Sequence, residues 1–295
     1  MERRFSTRDL GLSMRMVVLA LCITALYAAI ATGLVVLALV EPSWTPFIAA
    51  LTFIVVATTV GKYRSASGLM LDAVGAEPAS ARDEPEAYAM LERLAALADA
   101  PTPGLAIVDS PTPNAFTVGV RRRTATVVVT DGLRKLLTKP ELEAVLAHEL
   151  SHVANRDAGV MTLAGVPRTL GETLIGEQGP IFYTWFFIWW LGVPVWALGS
   201  LFTLTLSRYR EFAADRGSSL LTGRPADMMS ALVKLTGEGA SIPNSDLRKL
   251  ARVEALWVVG TGRARLTFFS DHPPLEQRLA RLEEMAQTMG APDGC

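Results

Sequence analysis

The five-residue pattern His148-Glu149-Leu150-Ser151-His152 contains the side chains in this sequence that are best suited to chemistry. On a helix, side chains four residues apart share one face, so both imidazoles can reach a single zinc ion. Glu149 stands beside the first histidine and can take a proton from a water molecule that zinc has made acidic. The pattern therefore predicts a hydrolytic zinc site with Glu149 as its base.

The alternative for this pattern is a pair of solvated histidines on a surface helix. Residues 144–147 are Ala, Val, Leu and Ala, which indicates a largely buried helix. Buried imidazoles need polar partners. Two of the three histidines of the chain also lie inside the pattern. We therefore favour the zinc interpretation.

A catalytic zinc ion needs a third protein ligand, and no further histidine or cysteine lies close in sequence. The downstream segment Glu211-Phe-Ala-Ala-Asp215 offers two carboxylates four residues apart on a predicted helix. One carboxylate can bind zinc, and the other can accept a hydrogen bond from a zinc-bound imidazole. A solvated, charged helix face is the alternative.

A capped helix and a few short strands are expected to position these residues. Thr138 and Glu141 form a capping box, with Pro140 in the first turn, and predict a helix that runs to about Asn155. The remaining pattern predicts strands at 105–109, 115–120 and 124–130, helices at 87–98, 207–238 and 273–288, a loop or weak helix at 72–86, and mostly loop at 239–271.

Three long apolar runs predict membrane-spanning helices. Met16–Val40 has 25 residues without a charge, Trp44–Val60 follows after a short turn, and Ile181–Leu206 has 26 residues without a charge. About 20 apolar residues span a bilayer, and a secretory signal has a shorter apolar region. The segment 158–176 is also mostly apolar but contains Arg168 and Glu172.

Charge balance excludes other classes of protein. The chain has 28 basic and 29 acidic residues, so it lacks the basic excess of a general nucleic-acid binder, and we expect no nucleic-acid partner. Its two cysteines are too few for a disulfide framework or a cysteine-rich zinc module.

With these motifs in their order, the sequence resembles the HtpX-type membrane zinc metalloproteases, which are Glu-ligated zincins related to the CAAX prenyl proteases. Two further segments support the resemblance. Asn114-Ala115-Phe116, with Gly119, resembles the strand that precedes the family's zinc helix, and the segment 271–278, with His272, resembles the family's C-terminal His-Pro-Pro motif.

The resemblance implies a role for each matching residue. It makes His148, His152 and Glu211 the ligands of one Zn²⁺, Glu149 the general base and later the general acid, and Asp215 the residue that orients a ligating histidine. His272 would stabilise the oxyanion; a plain helix-start role is the alternative. The strand from Asn114 through Ala115 to Phe116 would bind an extended substrate through its backbone.

The resemblance also constrains the membrane topology. If Glu211 meets the two histidines, the segment 158–206 crosses the membrane an even number of times, so 158–176 either forms a fourth span or is part of a re-entrant segment. Arginines and lysines flank the outer ends of the two predicted hairpins, 16–60 and 158–206. Neither connecting turn, 41–43 or 176–180, contains one, which places the N-terminus and the site in the cytoplasm.

The fold class expected is therefore α+β and mostly helical, with a four-helix transmembrane region and a cytoplasmic zincin-type metalloprotease domain that contains a small β-sheet. The regions are a basic N-terminus at 1–15, a membrane hairpin at 16–60, the first part of the catalytic domain at 61–157, a second membrane hairpin at 158–206, and the second part of the catalytic domain at 207–295.

The function expected is that of a multi-pass endopeptidase of the cell membrane, with the lipid bilayer and unfolded or membrane proteins as its partners. By resemblance it would take part in quality control of damaged membrane proteins. A dedicated processing protease for one lipidated or membrane peptide is one alternative. A non-catalytic scaffold with structural zinc is another, although such a site has no need of Glu149.

Overall fold

The structure is a computed structural model that describes residues 10–119, 121–157, 161, 182–239 and 273–290. The chain divides into two compact units, Met1–Ser65 with Val160–Leu206 and Ala66–Gly159 with Ser207–Cys295. In chain order the described elements are α1 (Leu10–Val40), α2 (Thr45–Val74), β1 (Glu77–Ala79), α3 (Pro85–Leu97), β2 (Gly104–Val108), β3 (Ala115–Val118), β4 (Thr126–Thr130), α4 (Asp131–Leu136), α5 (Lys139–Asn155), α6 (Phe182–Thr222), α7 (Pro225–Gly239) and α8 (Leu275–Gly290).

The described part of the first unit consists of apolar helices. A short 3-10 helix at Pro42–Trp44 separates α1 from α2 at the predicted turn, and large apolar side chains such as Leu39, Phe47 and Phe53 are more than 70% exposed. By length and hydropathy, no single helix among the described residues qualifies as a membrane span. One pair of helical segments, Ala28–Val40 and Pro42–Ala50, qualifies together across a bend of 118°. The four-span region stays a prediction, and the second predicted turn, 176–180, lies outside the described residues.

The second unit is built on a small mixed sheet with the strand order β1-β2-β4-β3. β2 runs parallel to β4, whereas β1 and β3 are antiparallel to their neighbours. One face of the sheet packs against helices in a large apolar core that includes Ala115, Val127 and Val129 with the buried face of α5. The other face forms a smaller cluster around Phe116 and Val128. A mostly helical chain with a small sheet was predicted, and this part of the predicted fold class is confirmed.

The structure corrects two of the sequence predictions. The segment 72–86, expected to be a loop or weak helix, contains the end of α2 and the edge strand β1, whose three residues are too few to show an alternating pattern. The predicted helix 207–238 is interrupted after Thr222 because Gly223 adopts φ +72° and Pro225 starts α7. The predicted loop at 239–271 lies, from residue 240 onward, outside the described residues.

Candidate metal centre

Helices α5 and α6 meet closely enough to bring the two sequence patterns together. The hydroxyl of Ser218 on α6 donates to the carbonyl oxygen of Ala144 on α5 over 2.6 Å. Beside this contact, a Cβ atom added to Gly217 would lie 2.2 Å from Oγ of Ser151, so the close approach of the helices requires a glycine here. The part of α6 that carries Glu211 and Asp215 is thereby held against the histidine-bearing face of α5.

The three predicted metal ligands converge on one point. The Nε2 atoms of His148 and His152 lie 3.2 Å apart, and they are 3.6 and 3.7 Å from the carboxylate oxygens of Glu211. Bonds of about 2.0–2.2 Å to a tetrahedral zinc ion place neighbouring ligand atoms roughly 3.4 Å apart. Two imidazoles and one carboxylate are also a donor set that catalytic zinc uses. Both the spacing and the chemistry of these residues fit a zinc ion.

Behind His148 lies a buried ion pair. Oδ1 of Asp215 is 3.0 Å from Nδ1 of His148. From α8, Arg278 donates to both oxygens of Asp215, at 2.8 Å through Nε and at 2.6 Å through a terminal nitrogen. His148, Asp215 and Arg278 are all at most 3% exposed. Because a charge buried this deeply requires a partner, the two-pronged contact with Arg278 keeps Asp215 ionised beside the histidine.

The electrostatic field at His148 favours positive charge. Burial by itself would lower the pKa of His148, but the carboxylates of Asp215 and Glu211 outweigh it and raise the pKa to about 9. Burial would likewise raise the pKa of Asp215, and Arg278 with His148 lowers it instead. The same excess of negative charge favours a metal cation at this position.

His152 faces a second carboxylate, which comes from the end of its own helix. Arg156 adopts a left-handed conformation with φ 59° and ends α5. The next residue, Asp157, thereby turns back so that its Oδ2 lies 2.7 Å from Nδ1 of His152. Nε of Arg210 on α6 lies 3.0 Å from the same oxygen. Nδ1 of each histidine thus lies within 3.0 Å of a carboxylate oxygen, and both Nε2 atoms remain for a metal.

Glu149 points towards the sheet and contacts the edge strand. Oγ1 of Thr117 on β3 lies 2.8 Å from Oε2 of Glu149 and 3.3 Å from the carbonyl oxygen of the same residue. Among the described strands, β3 pairs only with β4. One backbone edge of β3 therefore stays without a strand partner in this part of the chain, directly beside the predicted base.

The three predicted substrate-binding residues lie at the start of this edge strand. Asn114, Ala115 and Phe116, backbone included, are at most 5% exposed, with Ala115 in the core beneath α5 and Phe116 on the opposite face. The backbone of Asn114 is bonded to Thr130, whose N–H donates to the carbonyl oxygen of Asn114 over 3.0 Å. A peptide beside β3 would therefore not contact the side chains of these three residues.

Some residues around the site are absent from the sequence prediction. Asp157 had a local signal, since it lies five residues after His152 and just beyond the helix end. Arg210 and Thr117 had none, because their contacts join segments far apart in the chain. Arg278 belongs to the segment that supported the resemblance, but only the structure shows its partner. The predicted oxyanion residue, His272, lies outside the described residues.

Comparison with known proteins agrees with this geometry. Residues 81–286 match the model of peptidase family M48. The chain is 39% identical over 305 residues to a protease HtpX homolog of Moorella thermoacetica, which covers 97% of this chain and 98% of the relative. It is 38% identical over 301 residues to protease HtpX homolog 2 of Methanosarcina acetivorans, covering 98% and 100% of the two chains.

The fold also resembles a solved structure. The crystal structure of Ste24p from S. mikatae matches 93% of this chain and 67% of that chain with a TM-score of 0.54 and 18% sequence identity. At this identity the likeness concerns the fold alone. Fold and site together define a metalloprotease in which a second helix supplies a glutamate to a histidine pair.

The chain belongs to peptidase family M48, and its relatives within the family are HtpX-type proteases. The resemblance inferred from the motifs is thereby confirmed, and with it the assignment as a metalloprotease.

Proposed function

We propose that this metalloprotease is a zinc endopeptidase of the cell membrane that cleaves unfolded or damaged membrane proteins. The observation that supports the zinc assignment best is the convergence of two imidazole nitrogens and a carboxylate at distances of 3.2–3.7 Å. His148, His152 and Glu211 would hold the ion. When bound, zinc would polarise the scissile carbonyl and acidify a water molecule.

The side chains around the metal have separate tasks in this proposal. Glu149 accepts a proton from the attacking water and delivers it to the leaving amine. Asp215 and Asp157 hold the rings of His148 and His152 through their Nδ1 atoms, at 3.0 and 2.7 Å. The edge of β3 binds the substrate as an added strand, a mode that depends little on side chains and suits unfolded substrates. His272 contributes to stabilising the oxyanion.

The membrane assignment rests on the apolar runs and on the exposed apolar side chains of α1 and α2. We propose two membrane hairpins, 16–60 and 158–206, on either side of the first part of a cytoplasmic catalytic domain, 61–157, which 207–295 completes. A reporter enzyme that is active only outside the cytoplasm, fused after Ser43, should be active in bacterial cells, whereas a fusion after Asn155 should be inactive. An active fusion at Asn155 would contradict this topology.

The experiment that tests the proposed reaction compares the parent protein with Glu149→Gln, both purified in detergent and loaded with zinc. Cleavage of casein, an unfolded protein, should require zinc and should vanish in the variant, while both bind one zinc ion per chain. Glu149→Gln is isosteric and does not alter a ligand, so equal zinc content separates loss of the base from loss of the metal. Equal cleavage by the two proteins would contradict the role of Glu149.

A further inference from the structure

Thr117 is a polar residue in an apolar setting. It stands in β3 between Phe116 and Val118, and its two direct neighbours on the same face are Ala115 and, across the ladder, Val127. Side chains alternate along a strand, so Thr117 shares the face of the sheet that packs against α5. On this face its hydroxyl meets Glu149, which is 3% exposed.

The geometry of this contact selects one oxygen of the carboxylate. The hydroxyl of Thr117 is 2.8 Å from Oε2 and 3.3 Å from the carbonyl oxygen of Glu149. A hydroxyl has one proton to donate, and the shorter distance assigns it to Oε2. Hydrogen bonds to a charged group are stronger than neutral ones, so the bond holds the carboxylate in one rotamer. Oε1 is then the oxygen left for proton transfer.

We propose that Thr117 is a positioning residue for Glu149, holding the carboxylate in one rotamer from the edge strand. This inference rests on the proposed function, in which Glu149 is the base. Thr117 does not bind the metal, so its effect should fall on the chemical step and not on zinc binding. Substrate on the edge of β3 would meet the backbone of this strand, so the same short strand would align both the peptide and the base.

The test compares three variants with the parent and with Glu149→Gln. Thr117→Val keeps the shape and removes the hydroxyl, and Thr117→Ser keeps the hydroxyl. Thr126→Val is the matched control, because Thr126 on β4 pairs with Val118 on β3 and so lies on the other face of the sheet. For each protein kcat and KM on an unfolded peptide, zinc content and Tm are measured.

For Thr117→Val we expect kcat to fall about 10-fold or more, with KM changed by less than about two-fold. Thr117→Ser should restore most of kcat, and zinc content should match the parent in both variants. Thr126→Val should retain kcat. If Thr117→Val proves less stable, Thr117→Ser still separates the two causes of a lower kcat. It removes the γ-methyl and so disturbs the packing, but it keeps the hydroxyl that binds Glu149.

Two results would overturn the inference while leaving the proposed function intact. One is a kcat of Thr117→Val equal to that of Thr126→Val, and the other is a kcat of Thr117→Ser as low as that of Thr117→Val. Cleavage by Glu149→Gln at the parent rate would instead remove the proposed function and this inference with it.

Discussion

His148 and His152 lie one turn apart on α5, yet the carboxylates behind them are held in different ways. Asp157 follows His152 by five residues and pairs with Arg210, whose side chain is 16% exposed. Asp215 comes from another helix, and its cation, Arg278, comes from a third and is 2% exposed. One arrangement is almost local, and the other joins three helices that are distant in the chain.

The difference predicts which of the two pairs is more sensitive to substitution. Water can partly compensate a disturbance near Arg210. No such compensation is available to the pair of Asp215 and Arg278, because an unpaired charge in a dry interior is expensive. We therefore expect His148 to depend more strongly on Asp215 than His152 depends on Asp157.

The largest effect is expected when the buried cation is removed. Arg278→Met leaves Asp215 without its two-pronged partner and should lower the free energy of unfolding by about 3–5 kcal/mol. Arg281→Met on the same helix is the control, since Arg281 contacts only the ring of Phe212 among the interactions described, at 3.9 Å. Loss of this cation–π contact should lower the free energy of unfolding by about 0.5–1 kcal/mol. Chemical denaturation measures the stability of both variants. An equal loss of stability in the two would contradict the cost of leaving Asp215 buried without Arg278.

An intermediate effect is expected when each carboxylate is neutralised in turn. Losing the partner of a ligating histidine typically weakens metal binding about 10–100-fold. Asp157→Asn should lie near the lower end and Asp215→Asn near the upper end, because the second also removes the charge that pairs with the buried Arg278. Competition with a chelator measures zinc affinity. A weaker zinc affinity of Asp157→Asn than of Asp215→Asn would contradict the expectation that His148 depends more strongly on its carboxylate.

The smallest effect is expected at the far end of α5, away from both histidines. Glu141 accepts hydrogen bonds from Thr138, Ser230 and Lys234, at 2.6–2.8 Å. Although burial would raise its pKa, these partners, Lys234 foremost, lower the pKa of Glu141 to about 2. Its stabilisation should thus be complete above pH 4.5, the ordinary value, and should disappear as the pH falls towards 2.

Glu141→Gln should therefore cost about 1 kcal/mol of stability at pH 7 and progressively less below pH 4.5, with zinc affinity unchanged. Glu86→Gln is the control, because the ion pair of Glu86 with Lys139 is 66–71% exposed and should contribute little. Denaturation curves at several pH values test this. A pH-independent difference between Glu141→Gln and the parent would contradict the linkage.

Local patterns predicted much of what surrounds the site. The capping box at Thr138 and Glu141 is confirmed, and the helix runs to Asn155 as predicted. Strands β2, β3 and β4 also lie where alternating or continuous apolar residues placed them. These features depend on contacts within a few residues, and such contacts leave a periodic signature in the sequence. The interruption at Gly223 and the strand β1 escaped prediction because each is only a few residues long.

By itself, the sequence determined the histidine pair and the pair of carboxylates downstream, because i, i+4 spacing fixes which side chains share a helix face. It also determined the family, through motifs in a fixed order. Only the tertiary structure shows that Asp215 lies beside Nδ1 of His148, that Arg278 keeps Asp215 charged, and that Thr117 contacts Glu149. These contacts depend on how α5, α6, α8 and β3 pack, and packing between distant segments leaves no periodic trace in a single sequence.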